Sequence, residues 1–256
     1  MSCTARNSYM VTLFSLLLVV VAIPARAATL FTEDFSDTSP NPNMSLGANG
    51  GAGNTPSATF AGEFKLSAPD NGRRYLATND ADYYNTSFIF EATLNNAGAN
   101  SGYTDGFLGM GSGDVGGFPF YPDTPTIALE IQMGAGAGVD EVATFDDTRT
   151  VQTTISDAHP YRMRMTWNGV THQALFELDQ NYTGTFAADL SYTINGSDNG
   201  FTNGTDARLF VGGGDGIIFD DIVVRAVPEP GSIGLLLLGC FGIGVARRWS
   251  NRGRQE

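Results

Sequence analysis

The chain has 256 residues, with 27 acidic and 14 basic side chains and a formal net charge of −13. Six of the basic residues lie in the two end segments, which leaves eight basic and 25 acidic residues between Ala28 and Ala226. A body this negative repels nucleic acid and anionic membrane surfaces. The only cysteines, Cys3 and Cys240, also lie in the ends, so the body has no disulfide framework, cysteine-ligated metal or thiol chemistry.

Residues 1–27 have the three parts of a secretory signal. Arg6 supplies a positive start, Met10–Ile23 an uncharged apolar run, and Ala25-Arg26-Ala27 a small-x-small cleavage site. The expectation is export through the Sec machinery and cleavage close to Ala28.

Residues 28–226 are rich in Gly, Asn, Asp, Ser and Thr and show no long helical periodicity. Short alternating runs separated by turn residues predict an all-β domain. Leu30–Phe35 reads as the first strand. Thr59–Pro69 and Ser87–Asn95 alternate, and the second puts Phe88, Phe90, Ala92 and Leu94 on one face. Thr126–Gly134 groups Ile127, Leu129, Ile131 and Met133 in the same way. Tyr161–Gly169 groups Tyr161, Met163, Met165 and Trp167 opposite Arg162, Arg164 and Thr166. Asn168-Gly169 is a turn signal, so His172–Asp179 is expected to return as a hairpin. Arg208–Gly214 and Gly216–Ala226 close the domain. Asn41–Pro56 and Gly109–Pro125, rich in Gly and Pro, read as long surface loops.

Residues 227–256 form a tail of three parts. Val227-Pro228-Glu229-Pro230 is stiff and extended. Gly231–Ala246 is an uncharged, mostly apolar run of 16 residues, short against the about 20 of an ordinary span. Arg247, Arg248, Arg252 and Arg254 follow and would stay on the cytoplasmic side. In this order and place, Pro228, Glu229, Pro230, the hydrophobic helix and Arg247 and Arg248 resemble the PEP-CTERM sorting signal of Gram-negative bacteria. The resemblance implies a substrate of an exosortase, a membrane protease, in a system associated with exopolysaccharide. It implies transient anchoring in the inner membrane, then the outer surface or extracellular space, and says nothing about the activity of the body.

The body carries a second resemblance. "LFTEDFS" at the start, "HPYRMRMTWNG" in the middle and "IIFDDIVV" at the end resemble the jelly-roll β-sandwich of concanavalin-like lectins and laminin-G-like modules. It implies a two-sheet sandwich with paired first and last strands, a fold often used for carbohydrate binding. It also implies a structural calcium where the termini meet, for which Glu33, Asp34, Asp220 and Asp221 are the candidates. Carboxylates are the oxygen donors that such a hard cation wants.

Glycan binding would use aromatic rings in loops, and Tyr83, Tyr84, Phe118, Phe120 and Tyr121 are the candidates. A hydrolase branch of the same fold uses Glu-x-Asp-x-x-Glu. Glu177 and Asp179 match its first two acids, but Tyr182 stands where the third should be, so no catalytic residue is assigned. Glu177 then reads as an outward strand residue and Asp179 as the start of a turn. His159 and His172 have no Ser or Asp motif around them. The reading is a non-catalytic exported sandwich that binds extracellular polysaccharide. The alternatives are a polysaccharide-degrading glycoside hydrolase and a purely structural or adhesive surface protein.

Overall fold

The computed structural model describes residues 29–49, 57–67, 72–96, 104–112, 126–136, 138–146, 148–157, 160–196 and 207–227. The leader and the tail, including Pro228, Glu229, Pro230, Arg247 and Arg248, lie outside the described residues.

Among the described residues, fifteen strands build two antiparallel sheets. The first sheet runs in the order β13 (Leu190–Asn195), β12 (Gln173–Asp179), β11 (Tyr161–Asn168), β6 (Phe88–Asn96), β15 (Ile217–Ala226), β4 (Phe64–Ser67), β3 (Ser57–Phe60). Its eighth strand, β1 (Thr29–Glu33), also pairs with β15. The second sheet runs β10 (Thr148–Ser156), β9 (Val139–Asp146), β8 (Thr126–Gly136), β7 (Thr104–Ser112), β14 (Ala207–Gly213), β5 (Arg73–Thr78), β2 (Met44–Asn49).

The alternating runs decide which faces meet. Phe88, Phe90, Ala92 and Leu94 of β6 and Tyr161, Met163, Met165 and Trp167 of β11 face inward from the first sheet. Leu108 and Met110 of β7 and Ile127, Leu129, Ile131 and Met133 of β8 face them from the second. All join one buried cluster. Each such side chain contributes roughly 1.5–3 kcal/mol by leaving water, and together they close Thr29–Val227 into one compact unit.

The hairpin at Asn168-Gly169 forms as expected. Asn168 Oδ1 accepts from the amides of Val170 and Thr171 at 2.9 and 3.0 Å, so a side chain supplies the turn's hydrogen bonds. Trp167 Nε1 then donates to the Tyr84 carbonyl at 2.8 Å and ties the hairpin to the segment before β6. The first and last strands also pair as expected, with Thr29 opposite Arg225 and Glu33 opposite Ile222.

Three expectations are corrected. Thr59–Pro69 is not one strand but the β3–β4 hairpin, turning at Ala61–Glu63. Asn41–Pro56 is not all loop, because Met44–Asn49 forms edge strand β2. Gly109–Ser112 belongs to β7, not to a loop. Glycine is required there because a Cβ on Gly109 would lie 2.2 Å from the Ile127 carbonyl oxygen and 2.7 Å from the Ala128 Cβ. The residue that looks like a loop marker permits a close approach of two strands.

The outer face of the first sheet carries a charged network. Glu91 of β6 accepts from Arg164 Nε at 2.5 Å and Arg225 Nη1 at 2.6 Å, with Arg162 Nη2 at 3.6 Å. Burial alone would raise its pKa, but the arginines overcome this and hold the carboxyl below its ordinary value. The Tyr182 and Phe186 rings lie against Arg162 and Arg164, at 5.4 and 3.5 Å from the ring centroids.

Candidate functional site

The outer face of the second sheet holds a group of side chains that is unusual for an outward surface. Tyr75, Ala77, Phe107, Ala128, Phe145 and Phe210 form a separate apolar cluster, each no more than 8% exposed. Tyr75 meets Phe210 edge-on with ring centroids 5.8 Å apart, and Phe107 meets Phe145 in the same way at 5.8 Å.

Backbone register explains the grouping. Tyr75 of β5 lies opposite Gly212 of β14, Gly212 opposite Phe107 of β7, and Phe107 opposite Glu130 of β8. A Cβ on Gly212 would lie 2.3 Å from the Arg74 carbonyl oxygen and 2.5 Å from Tyr75 Cδ1. Glycine at this position therefore lets the Tyr75 ring lie over β14.

Polar groups are set into this apolar face. Arg73 Nε donates to Asp105 Oδ2 at 2.9 Å, Arg73 Nη2 bonds the same oxygen, and the guanidinium lies 5.8 Å from the Phe107 ring centroid. Asp105 is 3% exposed. Its other oxygen, Oδ1, is buried and has no hydrogen-bond partner among the described residues. Burial raises the Asp105 pKa against the pull of Arg73.

Glu130 lies on the neighbouring strand and the same face. Its Oε2 accepts from Arg149 Nε at 2.5 Å. Arg149 Nη2 donates to Gln132 Oε1 at 2.9 Å and also bonds Glu141 Oε1. Burial pushes the Glu130 carboxyl from 4.5 up to about 7 even though Arg149 opposes the shift. Burial likewise raises the Tyr75 hydroxyl well above its ordinary value.

The aromatics expected to bind glycan are placed differently. Tyr83 and Tyr84 are each 7% exposed. Tyr83 packs edge-on against Phe88 at 5.6 Å, and Tyr84 stacks on His172 at 4.1 Å beside Trp167 at 5.8 Å. Their ring faces are spent on the core, which overturns the assignment. Phe118, Phe120, Tyr121 and His159 lie outside the described residues.

Glu177 and Asp179 have the expected structural roles. Glu177 faces outward, 3.7 Å from Arg164. Asp179 is buried and accepts from the amides of Asn181 and Ala187 at 3.1 and 2.8 Å, which fixes the turn after β12.

The structure brings Glu33, Asp34, Asp220 and Asp221 to one edge through the β1–β15 pairing. Three of the four carboxylates are engaged by nearby amides. Glu33 accepts from the amides of Phe35 at 2.7 Å and of Asn41 with its other oxygen. Asp34 accepts from the Ser36 amide and Asp220 from the Asp221 amide. Among the described residues, no three His, Cys, Asp or Glu side chains come together as metal ligands.

Arg73, Asp105, Glu130 and Arg149 were not singled out from the sequence. A signal did exist. Ile127, Leu129, Ile131 and Met133 face inward, so Glu130 and Gln132 must face outward, and Glu130 is the lone acid of its strand.

No protein-family model and no curated protein matches the sequence. Solved structures match the fold. A winged bean acidic lectin complexed with methyl-α-D-galactose aligns with a TM-score of 0.55 at 12% identity, over 78% of this chain and 98% of that one. The exoplasmic/lumenal domain of VIP36, in a form bound to Ca2+ and Man2, gives 0.51 at 7% identity, over 78% and 89%. The CBM2 module of the evolved Dit of Lactobacillus casei BL23 phage J-1 gives 0.51 at 14% identity, over 81% and 100%. At these identities the likeness is one of fold.

Proposed function

We propose that the protein is an exported, non-catalytic, carbohydrate-binding β-sandwich, and that its ligand site is the outer face of the seven-stranded sheet around Asp105. The observation that carries this reading is Asp105 Oδ1, a buried carboxylate oxygen without a partner. A sugar hydroxyl would supply the missing hydrogen, and in a dry site such a bond counts for more than in water. Arg73 holds the other oxygen, and the buried Phe107 and Tyr75 rings keep the surroundings of the carboxylate apolar. Solved proteins of the same fold include lectins determined with galactose or a galactoside, which supports the choice of ligand class.

The leader and the tail supply the route. The signal at residues 1–27 sends the chain through the Sec machinery. The Pro228-Glu229-Pro230 motif, the apolar run and the arginines then hold it for an exosortase-type protease. The body ends at the outer surface or in the extracellular matrix, where polysaccharide is the partner.

The test is a glycan array probed with the secreted protein, followed by titration of any hit. No hit on neutral or acidic glycans overturns the binding reading. Unchanged location after deletion of Pro228–Glu256 overturns the sorting reading, and intact mass of the mature protein locates both cleavage sites.

A second reading, hydrolysis of a polysaccharide, rests on Asp105 and Glu130 sharing one face of adjacent strands, with burial raising the Glu130 carboxyl to about 7. Such a carboxyl can act as a general acid beside a second carboxylate. Release of reducing ends that Glu130→Gln abolishes would favour it.

A further inference from the structure

Three oxygen donors on two adjacent strands converge on one guanidinium. Glu130 and Gln132 come from β8 and Glu141 from β9, and all three bond Arg149 of β10. The cup has two carboxylates and an amide oxygen, the donor chemistry a hard divalent cation prefers. Its rim is open to solvent, since the side chains of Arg149 and Glu141 are 26% and 22% exposed, whereas Glu130 at its base is 4% exposed. A buried carboxylate needs a counter-charge, and here one strand of the same sheet provides it.

We propose that Arg149 is a built-in counter-cation: its guanidinium fills the Glu130–Gln132–Glu141 cup that would otherwise take a divalent cation, so this face keeps its geometry without calcium. VIP36 of the same fold has been solved in a calcium-bound form, and the acids expected to bind calcium here are not arranged as ligands. The arginine is covalently part of the chain, so chelators and dilution cannot remove it. It also bonds across three strands, which joins edge strand β10 to β8.

The experiment measures thermal unfolding of the secreted protein in excess EDTA and in millimolar calcium. It is run at about pH 8, above the Glu130 value near 7, so that the carboxyl is ionised. The variants are Arg149→Ala, Arg149→Met, which keeps the volume of the stem, and Arg149→Ala combined with Glu130→Gln. Wild type is expected to unfold at the same temperature in both buffers. Arg149→Ala and Arg149→Met should unfold earlier in EDTA and recover on the order of 5 °C in calcium, by linkage of binding to folding. The Glu130→Gln combination should lose that recovery. If neither single variant responds to calcium, whether or not it folds, the proposal is overturned. A calcium response in wild type as large as that of the single variants overturns it equally.

Discussion

Arg73 and Asp105 meet across a strand that lies between their own. Arg73 is on β5 and Asp105 on β7, with β14 between them, yet Nε and Oδ2 are 2.9 Å apart. Gly212, Gly213 and Gly214 at the end of β14 put no side chain in the way. A cation, an anion and two aromatic rings thus share a space that any larger residue would divide.

The first prediction concerns Asp105. Asp105→Asn keeps the shape but removes the charge-assisted acceptor. Glycan affinity should fall by about tenfold or more, which is about 1.4 kcal/mol, with an unchanged far-UV spectrum. Titration of the array hit against both proteins checks it. Equal affinities would move the site elsewhere.

Gly212→Ala should act on the same site by sterics alone. The new Cβ meets the Arg74 carbonyl and the Tyr75 ring, so the ring or the strand must move. The expected cost is about 1–3 kcal/mol by urea unfolding, accompanied by weaker glycan binding.

Glu91→Ala should cost more. It leaves Arg162, which is 5% exposed, and its neighbours Arg164 and Arg225 without their shared carboxylate. Removing one partner of a buried ionic group typically costs about 3–5 kcal/mol. Urea unfolding reads this directly, and a loss under about 1 kcal/mol would contradict the assigned role.

Stability should depend on pH through Glu130. Its folded-state value is raised from 4.5 to about 7, so the folded chain holds a proton that the unfolded chain has released. This contribution is fully present below about 4.5 and is lost as pH rises through about 7. Wild type should lose about 3 kcal/mol across that window. Glu130→Gln should flatten the profile, and an equal slope in both proteins would refute the assignment.

Legibility in the sequence varied with the physical cause. The β11–β12 hairpin was readable because Asn168 makes its turn from local atoms. The pairing of β1 with β15 was expected from the resemblance to jelly-roll sandwiches, since alternation alone marks a strand without naming its partner. β7 was obscured because Gly109 looks like a loop residue, although the neighbouring strand presses close to its backbone and the Leu94 side chain close to that of Gly106. Tyr83 and Tyr84 sit in a loop, yet Trp167 and His172 draw Tyr84 inward. The candidate site was hidden for a different reason. Asp105, Glu130 and Arg149 are far apart in the chain, and only the register of β7, β8, β9 and β10 puts them on one face.

The partners of β15 and β1 also set how the body answers to force. β15 is bonded along one edge to β6 and along the other to β4 and β1, whereas among the described residues β1 pairs with β15 alone. A pull applied beyond Ala226 runs along β15 and loads its rungs together, in shear. A pull applied before Thr29 reaches the sheet through the rungs that join β1 to β15. A body held from beyond Ala226 is held by a strand bonded on both edges, and one held from before Thr29 by a strand whose described rungs run to β15.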